Sequence, residues 1–184
     1  MTEEDMAAAA ALGIAGLGIE GAWDSAVCST GGDRPSLGVS QWEGERADRL
    51  LAAIPGGAAY AGRPWSALTE EDRRALSALL DSKAGRAAQW ALLLEDAGRY
   101  VRALGAIPAL GRPRCMVYAA MWCPTSKAVV LRFLRRHEAD TDLSDLEAVH
   151  ALFRSAYADA AGVPEYRAGY EARADRTYQY AAGL

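Results

Sequence analysis

The chain has 184 residues, of which 51% are hydrophobic and 24% charged, with a formal net charge of −4. That length supports one domain with a sizeable core, and the acidic balance argues against a dedicated nucleic-acid binder, whose phosphate contacts need clustered Lys and Arg. Three cysteines cannot all pair within one chain, and neither their spacing nor that of the two isolated histidines, His137 and His150, resembles a metal site.

Reduced thiols in a cytosolic protein are the simplest expectation, with one disulfide as the alternative for a protein that works outside. The chain opens with a predicted helix over about residues 2–21, capped at Thr2, with Glu3, Glu4 and Asp5 in its first turn. Its apolar stretch at 6–19 is too short for a membrane span. Acids stand where a signal peptide would carry positive charge, so neither a signal peptide nor membrane insertion is expected.

A loop to about residue 35 follows, with STGGDRP as its turn chemistry, and SLGVSQW reads as a short extended or tight segment. WEGERADRLLAAI predicts a helix with Ala47, Leu50, Leu51 and Ile54 on one face, stopped by PGG. After a loop at 56–67, Thr69 caps a further helix, and the longest helical stretch starts at Lys83, with Ala88, Leu92, Tyr100 and Leu104 at helical spacing. CMVYAAMW reads as a buried helix ending near Pro124, and three more helices complete the chain, one opened by a Ser144–Glu147 capping box. The expected architecture is mainly α, one domain over 1–184, with one short β-like element near 30–41.

The segment from Gly18 to Ala47 carries the chemistry. Glycoside cleavage needs a proton donor that stays protonated near neutral pH, and usually a second, ionised carboxylate. Glu20 ends an apolar run, where burial and a helix C-terminus disfavour the charged form. Asp33 stands in a Gly-rich loop beside Arg34, a setting that keeps it ionised. A Glu at a helix end and an Asp in a turn are, taken alone, more often solvated surface residues than catalysts.

The order Ile19-Glu20, Asp33, Ser36-x-Gly38-x-x-Gln41-Trp42, Arg46-Ala47 and Leu50-Leu51 resembles the active-site segment of the lysozyme-like superfamily, above all the muramidase-type domains of phage and bacterial peptidoglycan hydrolases. The spacing of Glu20 and the Gly-Asp-Arg at 32–34 is also similar to goose-type lysozymes. The later GRAAQ helix, the MVYAAMW helix and the Arg-rich closing helix sit where such domains have counterparts, so the likeness covers most of the chain, although only its first third carries a specific motif.

The resemblance implies a lysozyme-like helical domain that cleaves the β-1,4 glycan backbone of peptidoglycan, with Glu20 as general acid and Asp33 as second carboxylate; Asp24 is its rival. It implies that Ser36 and Gln41 hold the loop or the sugar's polar groups, and that Trp42 and Tyr118 line the groove or pack in the core. Arg173, Arg176 and Tyr178 are further candidates from the last helix, and Trp23 has no assigned place. No cofactor or metal is implied, the partner is cell-wall peptidoglycan, and the substrate requires release or delivery out of the cytoplasm. A chitosanase- or chitinase-like hydrolase, a lytic transglycosylase and a non-catalytic cell-wall or phage-tail module remain alternatives. One departure stands out: Gly21-Ala22 follows the acid where the family has Ser-Gly.

Overall fold

Thr2 and Asp5 cap the first helix reciprocally, the Asp5 N–H donating to Thr2 Oγ1 at 3.1 Å and the Thr2 N–H to Asp5 Oδ2 at 2.8 Å. Such a pair satisfies amide donors that a helix start leaves without partners. The helix, α1 (Glu3–Leu17), ends before the expected boundary at 21, because Gly18 turns into the left-handed region at φ 56°. The computed structural model describes residues 1–184, and its class is mainly α. After α1 come β1 (Ala26–Cys28), β2 (Pro35–Leu37), α2 (Glu45–Ala52), α3 (Glu70–Asp81), α4 (Lys83–Leu104), α5 (Pro113–Ala120), α6 (Cys123–His137), α7 (Leu146–Ala160) and α8 (Arg167–Ala182). No helix is long and apolar enough to cross a membrane.

The chain forms two compact units, one of residues 18–95 and one of residues 1–17 with 96–184. In the second of these, Ala10, Ala11 and Ile14 of α1 are fully buried. Gly13 lets Met121 and Tyr180 pack close to α1: a Cβ there would stand 2.5 Å from Met121 Cε and 2.8 Å from Tyr180 Cε1, so both side chains would have to shift. The Tyr180 hydroxyl donates to the Ala9 carbonyl at 2.7 Å. The core is aromatic: Trp122 has ring centroids of Tyr157 at 4.6 Å and Phe153 at 4.9 Å, and the Arg173 guanidinium lies 4.6 Å over its ring.

Two helix starts differ from expectation. Asp145, not Ser144, caps α7, accepting from the Glu147 and Ala148 N–H groups. The Ser144 hydroxyl is engaged by Asp142 Oδ1 at 2.7 Å, and a carboxylate one residue later serves the positive end of the helix as well. α6 starts at Cys123, before the Pro124 at which the preceding helix was expected to end, and is broken at Ser126, whose φ −170°, ψ 104° is extended.

The 18–95 unit is a hairpin set against α2, α3 and the first part of α4. β1 and β2 pair antiparallel, Ala26 opposite Leu37, Val27 opposite Ser36 and Cys28 opposite Pro35. The expected loop before residue 35 thus contains a strand, too short and too exposed at Val27 and Cys28 to show alternation in sequence. Leu37, Val39 and Trp42 enter a core with Leu50, Leu51, Leu76, Leu80 and Leu93. Thr69 and Asp72 form the capping box that starts α3.

All three cysteines are free, Cys28 exposed and the others buried. Burial pushes the Cys115 thiol up to about 11 and the Cys123 thiol up to about 12, and the thiolate is the reactive form. An aromatic disulfide reagent at pH 8 is expected to titrate one thiol promptly and the other two only in denaturant; three rapid equivalents would contradict the burial.

Candidate functional site

The site is assembled around a tight turn. Leu37 and Trp42 bridge antiparallel, exchanging N–H···O bonds of 3.0 and 2.9 Å, and the four residues between them reverse the chain. Gly38 takes φ 68° and Gln41 takes φ 49°, a left-handed conformation that is uncommon for a residue with a side chain. Gln41 is held there by its own groups: its backbone N–H and its side-chain Nε2 both donate to the Gly38 carbonyl, at 3.1 and 2.9 Å. Ser36 Oγ closes the turn from below, donating to the Gln41 carbonyl at 3.2 Å.

Gln89 of α4 fixes the turn from behind. It is fully buried, and its Oε1 accepts from the Val39 N–H at 3.0 Å. Its Nε2 donates to the carbonyls of Trp23 and Leu80, both at 2.9 Å. Gly85, one turn earlier on α4, lets the helix approach the end of α3, since a Cβ there would stand 2.3 Å from the Leu79 carbonyl oxygen. Gly38 is glycine for a second reason besides its φ: a Cβ would lie 2.2 Å from Gln89 Oε1.

Glu20 meets this turn through its neighbour. Gly21 packs so closely on it that a Cβ would stand 2.5 Å from both Gln41 Nε2 and the Gly38 carbonyl oxygen. The departure from Ser-Gly therefore has a steric cause, since a serine at 21 would collide with the turn. Glu20 itself is half-buried in a bend past the end of α1, not on the helix as its sequence context suggests.

Asp33 lies at the other end of β2, two residues before the strand begins, whereas the turn follows the strand directly. It is exposed, and both its oxygens accept from Ser66: Oδ1 from the N–H at 2.8 Å and Oδ2 from the hydroxyl at 2.5 Å. These bonds, the hydroxyl first, hold its carboxyl below the usual carboxylate range. Asp33 also walls a cleft of about 220 Å³ with Arg34, Pro35, Asp48, Arg63 and Pro64. Removing the hydroxyl in Ser66→Ala is expected to move the Asp33 titration, followed by carboxyl NMR, upward toward the ordinary value. An unmoved titration would deny Ser66 this role.

The remaining expected residues divide cleanly. Ser36 and Trp42 are buried, at 4% and 5% exposure, so both serve the turn and core. Asp24 is exposed in the turn after Glu20. Tyr118, expected at a groove, is corrected: it belongs to the other unit, is 0% exposed and packs against Phe153 and Trp122. It sits there because every residue of α5 from Cys115 to Ala120 faces the interior, and a ring without exposed surface offers no face to a sugar. In that unit Arg173 donates to the Met121 carbonyl and Thr125, Arg176 to the Leu17 carbonyl, and Tyr178 stacks on His150 at 4.5 Å. No group of three or more His, Cys, Asp or Glu side chains is arranged to hold a metal ion.

Sequence reasoning placed Gln89 in the GRAAQ helix without giving it a role, and passed over Ser66. Gln89 had a signal, as a polar residue sharing a helix face with Gly85 and the apolar Leu92. Ser66 had none, because its contact with Asp33 joins two loops far apart in sequence. No protein-family model, curated protein or solved structure matches the chain.

Proposed function

We propose that the chain is a lysozyme-like glycoside-cleaving enzyme acting on the β-1,4 glycan backbone of peptidoglycan, with Glu20 as the proton donor. One observation carries this reading: the two parts of the motif, Glu20-Gly21 and Ser36-x-Gly38-x-x-Gln41-Trp42, are in contact through Gly21, Gly38 and Gln41. The resemblance gives Ser36 and Gln41 the loop or the sugar's polar groups, so this contact joins the acid's segment to the turn that would meet the substrate. A preorganised turn gives the acid a fixed position, which proton transfer to a leaving oxygen requires.

Asp33 is the second carboxylate on this reading, ionised and oriented by Ser66. It would stabilise positive charge developing at the anomeric carbon or orient a water. Turbidity loss of purified cell walls, with mass spectrometry of the fragments, tests the proposal; intact walls after prolonged incubation would sink it.

A second reading is favoured by the engagement of both Asp33 oxygens with Ser66. A lytic transglycosylase closes the sugar on its own hydroxyl and needs no base for water. In that case Asp33→Asn retains activity and the fragments are anhydro-muramyl sugars. Hydrolytic ends and an inactive Asp33→Asn protein exclude it.

A further inference from the structure

A cavity of about 520 Å³ lies in the unit formed by residues 1–17 and 96–184, where the starts of α5 and α7 meet. It is more than twice the volume of the Asp33 cleft and falls within the ~300–1,000 Å³ typical of small-molecule sites. Arg112, Pro113, Arg114 and Cys115 line it from the α5 side, and Asp145 and Leu146 from the α7 side.

The acids of this region are engaged and the cations are not. Asp145 accepts from the Glu147 and Ala148 N–H groups as the cap of α7. Asp142 accepts from the N–H and hydroxyl of Ser144, which hold its carboxyl below the usual range, with Arg112 adding a weaker pull through space. Neither the Arg112 nor the Arg114 guanidinium takes part in a hydrogen bond or salt bridge. The Cys115 side chain, 1% exposed, forms the floor. Burial is the main cause that raises its thiol, Asp145 adds to the rise and Arg112 opposes it. The charges of both residues therefore bear on the cavity floor.

A guanidinium without an acid partner is a receptor for an anion, and its planar fork suits a carboxylate, which it can meet with two parallel hydrogen bonds. Pro113, Leu146 and the buried thiol add apolar wall, which an inorganic anion would leave uncovered. Asp142 and Asp145 repel a second negative charge. We propose that this cavity binds a singly charged organic carboxylate with a compact apolar body, the carboxylate received by Arg112 and Arg114 and the body lying on Pro113 and Leu146. A free aliphatic acid and the C-terminus of a short apolar peptide share that chemistry. The proposal is independent of the glycan-cleaving reading, since none of these residues belongs to the segment that carries Glu20.

Hexanoate and N-acetyl-alanyl-alanine are the probes, hexanamide the uncharged control, and inorganic phosphate the anion without an apolar body. Each is titrated into the full chain and followed by amide NMR. The Cys115 and Leu146 amide signals are expected to move with the carboxylates at a Kd of about 1 mM, and to stay in place with hexanamide. Phosphate should bind about tenfold more weakly or less. Arg112→Gln should weaken hexanoate about tenfold, Arg112→Lys, which keeps the charge and loses the fork, should fall between, and Arg112→Gln with Arg114→Gln should abolish binding. Of the two carboxylates, the tighter binder names the source. Equal shifts with hexanoate and hexanamide overturn the proposal, as do phosphate bound as tightly as hexanoate, unchanged affinity in the folded double variant, or signals unmoved at tens of millimolar carboxylate. If a variant does not fold, the four compounds on the parent protein decide.

Discussion

A Glu20→Gln protein is expected to release fragments from purified cell walls about 10²–10⁴-fold more slowly than the parent, the usual share of a general acid in the rate. The substitution keeps size and shape and removes only the transferable proton. Because Glu20 is half-buried in a bend and not in a helix, the exchange should leave thermal stability within about 0.5 kcal/mol. The loss should fall on kcat and not on wall binding, since the amide still presents a polar group to the sugar. Equal rates for variant and parent would remove the assignment, whatever the products are.

The second large effect belongs to Gln89. Replacing it with Leu deprives the Val39 N–H and the Trp23 and Leu80 carbonyls of their partner at once. At about 1 kcal/mol for each net hydrogen bond, and more where a buried group is left unpaired, the cost is about 3 kcal/mol or above. For a chain of this length that corresponds to a melting temperature lower by roughly 6–12 °C. Gln89→Glu keeps the acceptor but replaces the one donor nitrogen with a carboxylate oxygen that faces both the Trp23 and Leu80 carbonyls. A buried glutamate has its pKa raised in the folded state. The remaining stability of that variant is therefore present below the unfolded-state pKa and falls as pH rises. Urea unfolding at pH 4.5 and pH 8 checks the sign. If the Leu protein melts with the parent, the turn is held by other means.

Much of the fold was legible because it is written locally. Thr2 and Thr69 cap the helices they were expected to cap, and the apolar spacing of Ala47, Leu50, Leu51 and Ile54 marks residues that are buried. What escaped the sequence is what depends on distant partners. β1 is too short to declare itself without β2 opposite it, and Asp145 outcompetes Ser144 because Asp142 occupies the serine. The site follows the same division. Glu20 and the SLGVSQW turn were readable as a motif, but their contact through Gly21 was not. Ser66 reaches Asp33 across 33 positions. The resemblance left Tyr118 between groove and core, and its fully buried ring packs in the core, a contact that depends on partners distant in sequence.

Gln89 also has a kinetic meaning. The segments it ties together lie 50 and 66 residues away for Val39 and Trp23, against 9 for Leu80. Closing chain loops of that length is entropically slow, and nothing rewards it until the last partner arrives. α3 and the start of α4 can meet early, because their shared contact is local. The left-handed Gly38–Gln41 turn has its Val39 amide without a side-chain partner until that helix pair is in place, and so it closes late. In the native protein the order runs backward. The Val39 amide should exchange with solvent only through openings that also release the Trp23 carbonyl beside Glu20, so the segment carrying the acid and its turn loosen as one cooperative piece.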